Sequence, residues 1–207
     1  MKKNLDLQQW ARKDQFHFFQ QFEEPFFSVC IEIDCRKAYA VAKEQQLSFF
    51  LYYLHKSLAA ANATEPFRYR IADQQVWIYE TVHASPTINR PDGTFGFSYI
   101  DYHADLQQFI AAAEIEIAKV QNSSGLIAAV SGENVIHYSS VPWINFTSVS
   151  HARCFSFKDS SPKITFGKMT EEDGPRKMPV SIHVHHALMD GYHVGKFIDL
   201  FQQLMNE

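Results

Sequence analysis

The sequence predicts an α+β fold in which a large mixed β-sheet packs against helices as a two-layer sandwich. Helical and strand-like segments follow one another without the regular alternation of a doubly wound parallel fold. Both periods are present: apolar residues alternate over Phe27–Ile33, whereas Asp105–Asn122 repeats them at helical spacing. A chain of 207 residues with 46% hydrophobic and 20% charged residues can bury a sizeable core. Because no linker or repeat interrupts it, we expect one domain over residues 1–207.

Four helices are predicted from stretches of helix formers with apolar residues at helical spacing. They are Gln8–Phe22, Arg36–Asn62, Asp105–Asn122 and a last helix from about Tyr192. Pro66 is expected to end the second helical region because proline cannot donate the backbone hydrogen bond that a helix needs.

The predicted strands are short apolar or alternating runs bounded by turn residues. They are Phe27–Ile33, Phe67–Ala72, Gln75–Val82, Phe95–Ile100, Val135–Ser139, Arg153–Lys158, Ile164–Met169 and Met178–Val184. Asp73 and Gln74 are expected to turn a hairpin, Arg90–Gly93 to form a turn, and Glu171–Gly174 to form a loop.

Charge and composition argue against several classes of function. The net charge is −4 and the cations are scattered, whereas a nucleic-acid surface needs clustered Lys and Arg. No apolar run approaches the ~20 residues of a membrane span. The N-terminal stretch MKKNLDLQQWARKD lacks the apolar core of a signal peptide, and the three cysteines fit no zinc spacing. These features predict a protein of the cytoplasm with reduced thiols, no membrane association and no nucleic-acid partner.

The stretch VSIHVHHALMDGYH, from Val180 to His193, is the most informative part of the chain. It starts as a strand, ends in a pair of histidines and then turns into the last helix. A histidine at a strand end can point into a cleft, and its ordinary pKa near 6.5 lets it accept a proton at neutral pH. His186 is therefore a candidate general base, although a histidine in such a pattern is more often a packed structural residue than a catalyst.

Metal binding is a second interpretation of the four histidines in this stretch. Alternating strand residues point to opposite faces, and no Cys or Glu is placed to complete a tetrahedral set. We therefore expect no metal.

The pattern H-H-x-x-x-D-G in HHALMDG resembles the signature of the chloramphenicol acetyltransferase family. This heptad also occurs in lipoyl-domain acyltransferases, peptide-synthetase condensation domains and plant acyltransferases. Three further segments resemble the same family in the same order: WARKDQF resembles W-x-R-x-x-x-F, PWINFTS resembles P-W-V-x-F-T-S, and ITFGK resembles I-T-M-x-K. The resemblance covers essentially the whole chain.

The resemblance implies a role for five residues. His186 would be the general base, with its tautomer fixed by its own backbone carbonyl. Asp190 and Arg12 would form a structural ion pair that supports the site. Ser148 would donate a hydrogen bond to the oxyanion, and Thr165 would help to hold an active-site water. Without the resemblance, Ser148 and Thr165 are ordinary strand residues.

The resemblance also implies a fold, a co-substrate and an assembly. The fold would be that of the CoA-dependent acyltransferases, with acetyl-CoA as co-substrate and no metal. The chain would form a homotrimer with active sites between subunits and would acetylate a hydroxyl of chloramphenicol or a similar hydrophobic alcohol, a reaction that gives antibiotic resistance.

The acceptor pocket is where the resemblance weakens. Phe18, Phe19, Phe27 and Phe95 are expected to bind the acceptor, or else to be core residues. Phe19 stands where the classical enzymes carry a tyrosine, so a hydroxyl is missing, and Thr87–Phe97 follows the family pattern only loosely.

Two other functions are compatible with the sequence. One is acyl transfer to a protein-borne dithiol, which is disfavoured because no lipoyl domain precedes the matching part. The other is a catalytically silent trimer that binds a hydrophobic small molecule. It is disfavoured because four residues with implied roles in the site are present together: His186, Ser148, Asp190 and Arg12.

Overall fold

A computed structural model describes residues 1–126, 132–156, 158–171 and 176–207. The helices are α1 (Lys13–Phe19), α2 (Arg36–Glu44), α3 (Phe49–Ala63), α4 (Leu106–Gln121) and α5 (Gly191–Met205), with a 3-10 helix at Glu65–Arg68. The strands are β1 (Lys2–Asn4), β2 (Phe26–Asp34), β3 (Tyr69–Ala72), β4 (Gln75–Tyr79), β5 (His83–Asn89), β6 (Phe95–Phe97), β7 (Val135–Ser140), β8 (Lys163–Phe166) and β9 (Lys177–His185).

A six-stranded mixed sheet in the order β2-β9-β8-β7-β5-β6 forms one layer. The pairs β5–β7 and β7–β8 are parallel, and the other pairs are antiparallel. A separate three-stranded sheet has the order β1-β4-β3. The mixed sheet and the helices confirm the predicted α+β fold.

The two faces of the large sheet differ in chemistry. On β9, Met178, Val180, Ile182 and Val184 are all 2% exposed or less, and they belong to the core shared with the helices. The opposite face is polar, and directly paired residues of neighbouring strands point to the same side of a sheet. One row across this face contains, in order from β2 to β5, Ser28, His183, Lys163, His137 and Ser85. The next row contains Cys30, Ser181, Thr165 and Ser139.

Two predicted helices were too long. The first is only Lys13–Phe19, because the chain before Arg12 makes tight turns, such as the bond from the Lys13 amide to the Trp10 carbonyl at 3.0 Å. The second divides into α2 and α3. Gln46 has a left-handed φ of 56°, and the Ser48 hydroxyl caps α3 by accepting from the Leu51 amide.

Several strand predictions also need correction. Arg153–Lys158 contains no strand among its described residues, and Phe157 lies outside them. The strand expected over Ile164–Met169 ends at Phe166, and Phe95–Ile100 is a short strand followed by one bridge from Ile100 to Ala84. The strands β1 and β5 were not predicted.

The hairpin was predicted correctly, since Asp73 and Gln74 have φ values of 51° and 59°, the combination that tight hairpin turns require. Most of the loop predicted over Glu171–Gly174 lies outside the described residues. Across the described part of the chain, none of the helices has the length and apolar character that crossing a membrane requires.

Candidate active site

His186 lies immediately after β9, the second strand of the large sheet. Its amide donates to the Pro25 carbonyl at 2.8 Å, just before β2 begins, so the turn after β9 is tied to the start of the neighbouring strand. The strands β2 and β9 pair over all nine of their residues, from Phe26↔His185 to Asp34↔Lys177, and this pairing holds the two strands in register. The backbone of His186 is therefore fixed although it lies outside the sheet.

Two phenylalanines hold the imidazole of His186. The Phe19 ring stacks on it at 3.9 Å between centroids and 15° between planes, and the Phe27 ring lies at 4.6 Å and 48°. Phe19 lies at the end of α1 and Phe27 at the start of β2, so two separate elements position the ring. Of the predicted pocket residues, these two are next to the candidate base.

The ring nitrogen Nδ1 of His186 is 3.2 Å from the Met189 carbonyl. The expected partner was the carbonyl of His186 itself, and this was wrong. The turn over residues 186–188 brings the Met189 carbonyl to the ring, while the His186 carbonyl accepts from Arg12 Nη2 at 3.1 Å. Because a carbonyl only accepts, Nδ1 carries the hydrogen, and the neutral ring keeps a lone pair on Nε2.

Phe19→Leu is expected to lower kcat/KM by roughly tenfold. Leucine keeps apolar volume but loses the flat face on which the imidazole stacks, so the ring samples unproductive orientations. Phe19→Tyr is the matched control, since it keeps the stacked face. Steady-state turnover by the purified variants measures both, and equal rates for leucine and phenylalanine would show that stacking is unimportant.

Asp190 and Arg12 form the ion pair that the family resemblance implied, across 178 positions of the chain. Arg12 Nη1 binds Asp190 Oδ2, and the same guanidinium holds the His186 carbonyl. Asp190 also caps α5, since its Oδ1 accepts from the Tyr192 amide at 3.1 Å and lies 2.8 Å from His193 Nδ1. Burial alone would raise the pKa of Asp190, but His193 and Arg12 outweigh it and hold that pKa below its usual value.

Thr165 and Ser148 lie on the polar side of the sheet. Thr165 is 2% exposed on β8, and its Oγ1 is 3.1 Å from His151 Nε2. Ser148 is exposed and lies in an irregular segment after β7, not on a strand. Among the described contacts of a single chain, none joins Ser148 to His186.

The other two predicted pocket residues are placed differently. Phe18 is 58% exposed and packs edge-on against Phe19 and Phe22. Phe95 is 47% exposed on β6, at the opposite edge of the sheet from β2. Five strand spacings separate those edges, roughly 24 Å. Within one chain, Phe95 is therefore remote from His186.

The sequence did not single out the pair of imidazoles formed by His151 and His183. Their rings meet edge to face at 4.6 Å and 84°. Both line a cavity of about 210 Å³ whose wall also includes Phe27, the ring that contacts His186. The alternation in HVHH could have indicated that His183 and His185 share the face opposite the core, but His151 has no such signal in the sequence.

Several histidines are held neutral by the fold. Burial lowers the pKa of His137, His151 and His185 to about 4, with nearby cations such as Lys163 and Arg153 adding to the effect. Burial also lowers the pKa of His183, against the opposing hydrogen bond to the Val149 carbonyl.

These shifts predict that stability falls as the pH drops from about 6.5 to about 4. In that window the unfolded chain binds protons that the folded chain does not, so the free energy of unfolding decreases. After allowance for partial exposure, we expect a loss on the order of 2 kcal/mol, or roughly 4–8 °C in Tm. Thermal unfolding at pH 7.5, 5.5 and 4.5 measures it, and a smaller drop for His137→Met is the internal check. A Tm independent of pH over this range contradicts the prediction.

No group of three or more His, Cys, Asp or Glu side chains is arranged to hold a metal ion among the residues that the structure describes. The rings of His183 and His185 lie on the polar face of β9, and His186 lies beyond its end in the turn. The histidines that could have been metal ligands therefore lie in two different places, the polar face of β9 and the turn after it.

Comparison with known proteins defines the class. A solved chloramphenicol acetyltransferase superimposes with a TM-score of 0.92 and 31% identity, covering 99% of this chain and all of the other. The fold is that of the CoA-dependent acyltransferases, and the protein is an acyltransferase.

The sequence comparisons name the family. The family model described as chloramphenicol acetyltransferase matches residues 2–202. The chain is 30% identical over 207 residues to a chloramphenicol acetyltransferase of Bacillus pumilus, covering 99% of this chain and 94% of the relative. It is 28% identical over 204 residues to that of Proteus mirabilis, with 98% and 94% covered. The chain belongs to the chloramphenicol acetyltransferase family.

Proposed function

We propose that this chain is an acetyl-CoA-dependent O-acetyltransferase whose acceptor is a hydroxyl of chloramphenicol or of a similar hydrophobic small alcohol. One observation carries the proposal: the imidazole of His186 is stacked on Phe19, with its Nδ1 3.2 Å from the Met189 carbonyl. That arrangement leaves the lone pair of Nε2 for a proton. Family membership supplies the acetyl donor and the class of acceptor.

The proposed step begins when Nε2 of His186 takes the proton of the acceptor hydroxyl. The hydroxyl oxygen attacks the thioester carbonyl carbon, and the electron pair of that carbonyl moves onto its oxygen. Ser148 donates a hydrogen bond to this oxyanion, and Thr165 helps to hold a water beside it. Collapse of the intermediate breaks the carbon–sulfur bond, and the departing thiolate takes the proton from the imidazolium. Since both substrates are held together, no acyl-enzyme is needed.

The proposal includes a homotrimer in which each site lies between subunits. Ser148, Trp143 and Ile144 are exposed in the single chain, and Trp143 and Ile144 are 67% and 56% exposed. Large apolar side chains exposed near one another are typical of a surface that a partner covers. A neighbouring subunit would bring Ser148, and the remote Phe95, to a His186 that its own chain does not reach.

Several further features are part of the same proposal. The 207 residues form a single chloramphenicol acetyltransferase-like domain, the protein works in the cytoplasm without a metal, and its activity gives antibiotic resistance. The apolar Phe18, Phe19 and Phe27 would bind the acceptor. Phe19 has no hydroxyl with which to recognise a polar group, so acceptors less polar than chloramphenicol are expected to be accepted as well.

A thiol-release assay tests the function. Purified protein is mixed with acetyl-CoA and chloramphenicol, and then with a panel of hydrophobic alcohols and with dihydrolipoamide. Release of CoA that depends on chloramphenicol or an alcohol is the expected result. Release with dihydrolipoamide alone would favour the dithiol acceptor, and no release with any acceptor would favour a silent binding protein.

A further inference from the structure

His183 links β9, the strand that ends directly before His186, to the segment that carries Ser148. His183 lies three residues before His186 on β9, with its ring on the polar face. Its Nε2 is 3.1 Å from the carbonyl of Val149, the residue directly after Ser148. Residues 147–151 belong to no helix or strand, so hydrogen bonds of this kind decide where the segment lies.

The protonation of the His183 ring follows from its two partners. The Val149 carbonyl can only accept, so Nε2 carries a hydrogen and donates it. Nδ1 lies 3.3 Å from the hydroxyl of Ser181, two residues earlier on the same strand, and in the neutral ring it accepts from that hydroxyl. Both nitrogens are thus engaged, and the ring cannot rotate or change tautomer without losing a bond.

His151 provides a second attachment of the same segment. Its Nε2 is 3.1 Å from the hydroxyl of Thr165 on β8, and its ring packs edge-on against His183. The segment is therefore held at Val149 by β9 and at His151 by β8. Ser148 lies next to the first of these points.

We infer that His183 is a positioning residue that holds the Ser148 hydroxyl in place through the Val149 carbonyl, and so attaches the serine to β9 of its own chain. The inference rests on the proposed role of Ser148 as the oxyanion donor. It holds whether Ser148 serves its own subunit or a neighbour, because the bond lies within one chain. An oxyanion donor works only when it is held where charge develops, and a displacement of about 1 Å can cost as much as 10²-fold in rate.

The test compares His183→Met with His183→Gln. The two side chains have similar length and shape, but only glutamine has an N–H that can donate to the Val149 carbonyl. With the acceptor that gives the highest turnover, His183→Met is expected to lower kcat by about tenfold and to change KM by less than about twofold. His183→Gln is expected to recover most of kcat.

His137→Met is the matched control. His137 lies in the same row of the polar face, across Lys163 from His183, and its pKa is likewise lowered by burial. Within the described part of the chain, its imidazole has no hydrogen bond to residues 147–151. Its kcat should therefore stay at the wild-type value. A loss equal to that of His183→Met would mean that any change on this face lowers the rate, and would overturn the inference.

Ser148→Ala separates this inference from the proposed function. It should lower kcat by about 10²–10³-fold, and adding His183→Met should lower it little further, because the position of an absent hydroxyl no longer matters. If Ser148→Ala keeps full kcat, the proposed role of Ser148 fails and the inference fails with it. If Ser148→Ala is impaired while His183→Met is not, or if the two losses multiply, only the inference is overturned.

If the His183→Met protein does not fold, the Ser181→Ala variant tests the same inference. It removes only the hydroxyl that fixes Nδ1 and leaves the imidazole in place. A measurable drop in kcat at unchanged KM supports the inference, and wild-type kcat overturns it.

Discussion

Replacing His186 by alanine is expected to lower acceptor-dependent CoA release by about 10²–10⁴-fold, the contribution of a well-placed general base. The structure explains why no neighbour should substitute. The Nδ1 bond to the Met189 carbonyl leaves Nε2 of His186 as the free base nitrogen, and the Phe19 stack holds its direction. By contrast, His185 is 6% exposed, and its Nδ1 accepts from the Ala187 amide at 3.3 Å.

The control for this variant is His185→Gln. A glutamine oxygen can accept from the Ala187 amide as the imidazole does, so this variant is expected to keep most of the rate. Both proteins should elute from a sizing column like the wild type, and their circular dichroism should be unchanged. Full activity of a folded His186→Ala protein would eliminate His186 as the base.

Asp190→Ala is expected to cause the largest loss of stability among the site variants, about 2–4 kcal/mol. Two effects add. The variant leaves the Arg12 guanidinium, whose side chain is only 14% exposed, without its carboxylate. It also removes the N-cap of α5, which alone is worth about 1 kcal/mol. The value lies below that of a fully buried pair because the Asp190 side chain is 35% exposed.

Asp190→Asn separates these two effects. Asparagine caps helices as well as aspartate does but carries no charge, so it should lose only the ion-pair part. Urea unfolding at one fixed protein concentration measures both variants, because the stability of the proposed homotrimer would depend on concentration. A loss below about 1 kcal/mol for Asp190→Ala would show that the pair does not support the fold.

The Asp190 ion pair should also depend on pH in a defined direction. The folded protein holds the pKa of Asp190 below the ordinary 3.8, so the stabilisation is complete above that value. It disappears as the pH falls through the lower pKa of the folded state. The histidine effect operates at higher pH, from about 6.5 to about 4, so the two contributions can be distinguished in one titration.

Much of the fold was predictable because local chemistry and tertiary structure agree. The alternation in Phe27–Ile33 and the helical period of Asp105–Asn122 correspond to β2 and α4 with small changes at the ends. The wrong helix and strand predictions have local causes that the spacing of apolar residues does not show. The division of Arg36–Asn62 depends on a left-handed Gln46, and the run Arg153–Lys158 is apolar enough for a strand but pairs with none among its described residues.

The helix and strand periods of the sequence determined the fold class, and the residue types at fixed positions in HHALMDG and WARKDQF determined the family. The Arg12–Asp190 pair followed from the resemblance to that family. Only the tertiary structure decided which groups surround the imidazole of His186. The Met189 carbonyl, the Phe19 stack and the two attachments of the Ser148 segment join distant parts of the chain through backbone atoms and ring planes. Every residue has a backbone carbonyl, so the sequence does not show which carbonyl will accept a hydrogen bond from a given side chain.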